Sequence, residues 1–330
     1  MRIERERLIA LARREVEARA EKDHLLAAYL IGSVTHGEPV LGGAADIDLV
    51  LIHGEPPSTA REVVPLSEDV HLDIAHHDRA VYAQPRTLRV DPWLGPALYS
   101  PLALFDRDHL FEWAQASARG QYARPDHVHA RATALLAEAR RRRAGLASAR
   151  RWPSMYTSAV MDAANAVASL HGPPACGRRA LLLLEARLGQ AGHADVFAAV
   201  LQLLGAESLQ AQSVRDWVAA WAHAFDECAR ISGDPVLSPH RRAYYLKGFQ
   251  ALLEEGAPYA ALMGLIQTWD RVLSTLETFE LAADYRSGWQ AALDSLELAP
   301  PTADRRADEL ESFLDRVDVI LERWERDHGA

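Results

Sequence analysis

The run Asp46-Ile47-Asp48-Leu49-Val50-Leu51-Ile52 constrains this chain more tightly than any other stretch. A short run that is apolar on both faces reads as a central strand covered on both sides. Side chains at i and i+2 of a strand share a face, so Asp46 and Asp48 point the same way. Two acids buried there without a partner would be costly, so they belong at the open end of the sheet or beside a cation. An earlier apolar run, Leu25–Ile31, stops at Gly32-Ser33, and a third acid, Asp73, sits in a similar setting (VHLDIA). Three carboxylates on neighbouring strand ends facing a Gly-Ser turn suit Mg²⁺ and a nucleoside triphosphate. Oxygen donors are what Mg²⁺ selects. Gly32 would let backbone approach phosphate without a Cβ clash, and the following amides and the Ser33 hydroxyl could donate to it.

Gly32-Ser33, twelve residues, Asp46-Ile47-Asp48 and then Asp73 together resemble the polymerase-β-like nucleotidyltransferase superfamily, in its two-domain, aminoglycoside-nucleotidyltransferase-like form. Gly37 fits a second loop glycine often seen there. Ala45 departs from the pattern, because serine often precedes the first acid; one polar contact is lost while all three acidic positions stay filled. The resemblance covers roughly residues 1–120. It implies transfer of a nucleoside monophosphate, AMP from ATP, to a small-molecule acceptor such as an aminoglycoside. Two Mg²⁺ ions about 3.5–4 Å apart would stabilise the attacking and leaving oxygens. Asp46 and Asp48 would bridge them, and Asp73 would hold the ion beside the acceptor and could take its proton. Two alternatives stay open: a regulator or antitoxin that transfers AMP to protein, and an inactive nucleotide-binding module.

The 330 residues allow two domains, and a formal charge of −10 argues against a nucleic-acid surface and suits a cationic acceptor. Cys176 and Cys228 have no metal-ligand spacing, and no apolar run reaches the roughly 20 residues of a membrane span. The opening, MRIERERLIALARREVEARAEKD, is charged throughout, so a secretory leader is not expected and a cytoplasmic location is. The oligomeric state is left open.

The expected fold is α+β. A small mixed sheet flanked by helices occupies residues 1–120, and an all-α helical bundle occupies 121–330. An amphipathic helix is expected over 3–22, strands near 25–31, 46–52, 70–75 and 101–105, a short helix over Ser58–Leu66, and a helix over 111–118. Ala-, Leu-, Arg- and Glu-rich sequence then predicts helices near 125–145, 153–171, 176–189, 194–204, 210–231, 239–255, 257–275, 277–296 and 303–327. Asp162, Glu185, Asp270 and Glu277 on these helices match no motif, and Trp217, Trp221, Phe225, Tyr244 and Tyr245 read as packing. Among the histidines, His71 shares a strand face with Asp73.

Overall fold

The computed structural model describes residues 3–21 and 24–330. The protein is α+β, with a five-stranded mixed sheet in its N-terminal part and a long helical region after it. The described chain forms two compact units. One runs to Tyr122 and takes in Gly233–Gly248, and the other comprises Ala123–Ser232 and Phe249–Ala330.

In the first unit, α1 (Arg5–Ala20) leads to β1 (Leu25–Leu30), β2 (Ala45–His53), β3 (Arg61–Pro65), β4 (Val70–Asp78) and β5 (Leu102–Asp106). Their order across the sheet is β3-β4-β2-β1-β5, so β2 is the middle strand. It runs parallel to β4 and antiparallel to β1. The strict alternation of a strand divides its residues between two cores. Ile47, Leu49 and Leu51 face Leu8, Ala12 and Val16 of α1. Val50 and Ile52 face Tyr29, Tyr82, Leu98 and Phe111 on the other side. Leu98 belongs to α3 (Leu94–Tyr99), which follows the single turn α2 (Pro85–Leu88), and Phe111 belongs to α4 (Leu110–Arg119). Asp106 ends β5 and accepts from the Phe111 and Glu112 amides, both at 2.9 Å, satisfying donors that open α4.

Ser58–Leu66 is not a helix. Arg61–Pro65 is an edge strand antiparallel to β4. Consecutive β-branched residues, Val63-Val64, favour the pleated backbone, and Pro65 stands at the strand's end, where its missing donor does least harm.

The second unit is helical: α5 (Pro125–Gly145), α6 (Trp152–Ser169), α7 (Ala180–Gln190), α8 (Ala194–Leu203), α9 (Ala211–Ile231), the last turns of α10 (Arg242–Glu254), α11 (Leu262–Thr278), α12 (Arg286–Ser295) and α13 (Ala303–His328). α5 lies against α6 and α13. Its arginine run ties them together: Arg140 bonds Asp315 and Asp318 at 3.1 and 3.0 Å, and Arg142 bonds Asp162 at 2.8 Å. The break expected between the helices at 257–275 and 277–296 falls later: α11 runs on to Thr278 and α12 starts only at Arg286. Glu280 takes φ +60°, and the Leu281 amide closes on the Leu276 carbonyl at 2.9 Å, a left-handed helix stop made without glycine. None of the described helices is long and apolar enough to cross a membrane.

Candidate functional site

Parallel pairing of β2 with β4 sets Asp48 opposite Asp73 and Asp46 opposite His71. All four lie at the strands' N-terminal ends, on the face that Val50 and Ile52 occupy further along. The three carboxylates offer oxygens that lie within 4.8 Å of one another. Asp46 and Asp73 are buried and Asp48 is half-buried.

The Gly-Ser turn comes to the same place. The Ile31 amide donates to the Asp48 carbonyl at 3.1 Å, the last bond of that ladder, and the chain then turns through Gly32–Val34. Gly32 has φ +72°, and a Cβ there would run into Oδ2 of Asp48. Glycine is required on both counts. The Thr35 hydroxyl (2.8 Å) and amide (3.1 Å) and the His36 amide (3.2 Å) all donate to the Gly32 carbonyl, which turns it inward. The opening amides of such a turn have no acceptor within it. Ser33 sits there half-buried.

Three further residues hold these acids, and a fourth, Lys247, bonds Asp69 just before β4. From edge strand β3, the Nε of Arg61 donates to Oδ1 of Asp73 at 2.6 Å, and a second nitrogen of the same guanidinium bonds Oδ2. The other three come from Gly233–Gly248. Arg241 donates to Oδ2 of Asp73 at 2.6 Å. The hydroxyl of Tyr244 donates to Oδ2 of Asp46 at 2.6 Å, and its ring meets His71 edge-on at 5.0 Å. Lys247 pairs with Asp69. Arg241 is itself buried, its guanidinium 5.2 Å from the ring centres of both Tyr244 and Tyr245. Arg241, Tyr244 and Lys247 recur every three residues, the spacing of one helical face. That spacing was readable in the sequence, but no sequence signal gave it a destination.

Electrostatics separates two of the acids. Burial pushes the Asp48 carboxyl well above the usual range, and the charges of Asp46 and Asp73 push it further. Burial would raise Asp73 too, but the Arg61 hydrogen bonds and the Arg241 charge outweigh it and hold Asp73 below its ordinary value.

The donor set fits a divalent metal ion. All-oxygen, carboxylate-rich sites suit Mg²⁺, and a cation would offset the burial and the repulsion that together lift Asp48.

The acids singled out on the helices have their own partners. Asp162 bonds Arg142, Glu277 bonds Arg286 at 2.9 Å, Glu185 accepts from Tyr259, and Asp270 accepts from the Ser154 amide at 3.2 Å. Asp270 and Glu277 border a cavity of about 420 Å³ together with Trp152 and Trp289. Trp217, Trp221 and Phe225 are buried in the helical unit.

No family model matches the chain, and no curated protein matches it. Among solved structures it is similar to a nucleotidyltransferase-like protein from Exiguobacterium sibiricum 255-15. The two are 12% identical over 94% of this chain and 91% of that one, with a TM-score of 0.28. A superposition that loose carries no argument about the site.

Proposed function

We propose that this chain is a Mg²⁺-dependent nucleotidyltransferase that moves AMP from ATP to a small-molecule acceptor, with cationic acceptors of the aminoglycoside type the class to test first. The observation that carries the reading is the convergence of Asp46, Asp48 and Asp73 on the Gly32-Ser33 turn. In the proposed reaction an acceptor hydroxyl attacks the α-phosphorus, its proton passes to solvent, the bond to the bridging oxygen breaks, and pyrophosphate leaves. Asp46 and Asp48 would hold the metal, with Asp73 as the third ligand. Bound Mg²⁺ supplies Lewis-acid polarisation of the phosphoryl oxygens and offsets charge on the leaving group. The Gly32-Ser33 turn would orient the phosphates through its amides and the Ser33 hydroxyl. Tyr244 would fix the rotamer of Asp46 through the hydrogen bond it already makes.

One observation favours a second reading, a nucleotide-binding module without catalysis: both oxygens of Asp73 already accept from guanidinium groups. Calorimetry with a non-hydrolysable ATP analogue, with and without Mg²⁺, on wild type and Asp48→Asn tests what both readings share. Metal-dependent binding lost in the variant supports the site, and no binding to wild type with any metal sinks both. Pyrophosphate release from ATP with an aminoglycoside panel, then with cell lysate, separates transfer from binding and small-molecule from protein acceptors.

A further inference from the structure

We propose that Arg61 and Arg241 act as built-in counter-cations that make metal binding at the acidic cluster conditional on a polyphosphate. The proposal rests on the reading of the triad as a metal and nucleotide site.

Asp73 accepts three guanidinium N–H bonds, one at Oδ1 from Arg61 and two at Oδ2 from Arg61 and Arg241. A carboxylate has about four lone-pair sites, so most of its capacity is taken. Against three carboxylates, two guanidiniums leave little negative charge for a bare divalent ion to neutralise. An ion that takes Asp73 as a ligand must displace a guanidinium or sit a few ångströms from both. Either event is unfavourable unless an anion arrives with it.

The two arginines cannot respond alike. Arg241 is 5% exposed and packed beside two tyrosine rings, so it stays in place and needs a new partner inside the site. The Arg61 side chain is 47% exposed and lies on an edge strand, so it can swing. Guanidinium forks fit phosphate oxygens as well as carboxylate oxygens. A triphosphate therefore supplies what both lose when Asp73 turns to the metal. By linkage, the factor by which polyphosphate raises metal affinity equals the factor by which metal raises polyphosphate affinity. Arg61 and Arg241 are positioning residues on this account: they set when the site loads.

The test is a binding measurement on metal-stripped protein, with Mn²⁺ followed by electron paramagnetic resonance. Mn²⁺ is titrated alone, with pyrophosphate, and with the non-hydrolysable ATP analogue. In wild type, either polyphosphate should raise Mn²⁺ affinity by about tenfold or more. Arg61→Ala should bind Mn²⁺ alone several-fold tighter, on the order of the lost coupling, while the enhancement by polyphosphate shrinks towards unity. Arg241→Gln should move both quantities the same way. If it fails to fold, Arg61→Ala carries the test, since Arg61 is half-exposed. Unchanged or weaker Mn²⁺ binding in Arg61→Ala overturns the proposal, as does tight wild-type binding of Mn²⁺ that a bound analogue leaves unaltered. By the same linkage that second result also removes the metal-dependent nucleotide binding on which the nucleotidyltransferase reading rests, whereas the Arg61→Ala result leaves that reading intact. Conversely, coupling to pyrophosphate with no binding of the ATP analogue sinks the transfer reading and supports the counter-cations.

Discussion

Asp73 in the sheet unit and Asp162 in the helical unit are both buried aspartates bonded to arginine, yet burial wins at one and loses at the other. Asp73 has Arg61 and Arg241, and its carboxyl is held below the ordinary value. Asp162 has Arg142 at 2.8 Å, with Glu138 nearby working against it, and burial pushes it up to about 6. One half-exposed guanidinium does not offset desolvation, whereas two, one of them fully enclosed, do more than offset it. The difference teaches that a buried ion pair is not one kind of object. At Asp162 the protein keeps the option of a proton. At Asp73 two arginines keep the carboxyl ionised.

The comparison can be broken in several ways, beginning with chemistry. Asp48→Asn should abolish transfer, a fall of about 10⁴-fold, or about 5.5 kcal/mol in the barrier, while the far-ultraviolet spectrum stays native. Turnover near wild type in a folded variant would remove the metal from the account. Next, Arg241→Met strips Asp73 of its enclosed partner and should destabilise the metal-free protein by about 3–5 kcal/mol in urea. Arg142→Met should lose far less, because Asp162 can take a proton instead. Equal losses would erase the distinction between the two acids. Gly32→Ala meets both a left-handed backbone and the Asp48 carboxylate and should lower stability by about 2 kcal/mol, a calorimetric melting experiment being enough to see it.

A further effect of similar size is in the pH dependence, and its sign differs between the two aspartates. Asp73, with a lowered folded value, adds stability above the unfolded value near 3.9 that disappears as pH falls through the folded value. Asp162, raised to about 6, does the reverse. Its folded form holds the proton more tightly, so stability is greatest below about pH 4, declines to about pH 6, and is flat above. Asp162→Asn should remove that decline, and denaturant midpoints collected across pH 4–7 will show whether it does.

Much of this was legible in the sequence, for identifiable reasons. β1, β2, β4 and β5 announced themselves as apolar runs, and Asp46 and Asp48 shared a face because the strand period is two. β3 did not, because Arg61–Pro65 is five residues long, half-exposed and at an edge, where hydrophobic patterning is weak. The position of the helix break before Arg286 was hidden because Glu280 takes a conformation usually signalled by glycine. At the candidate site the acids and Gly32 are near neighbours in sequence. Arg241 and Tyr244 reach their aspartates from 168 and 198 residues away, and no local pattern encodes a partner at that distance.

That distance also sets a timetable. Once the chain has been synthesised to Tyr122, about 110 more residues must follow before Gly233–Gly248 begins, which at 5–20 residues per second takes roughly 6–22 s. For that interval the three aspartates exist in a chain that does not yet contain Arg241 or Tyr244. The last polar groups of this cluster to be made are therefore the ones that cover Asp73 and Asp46.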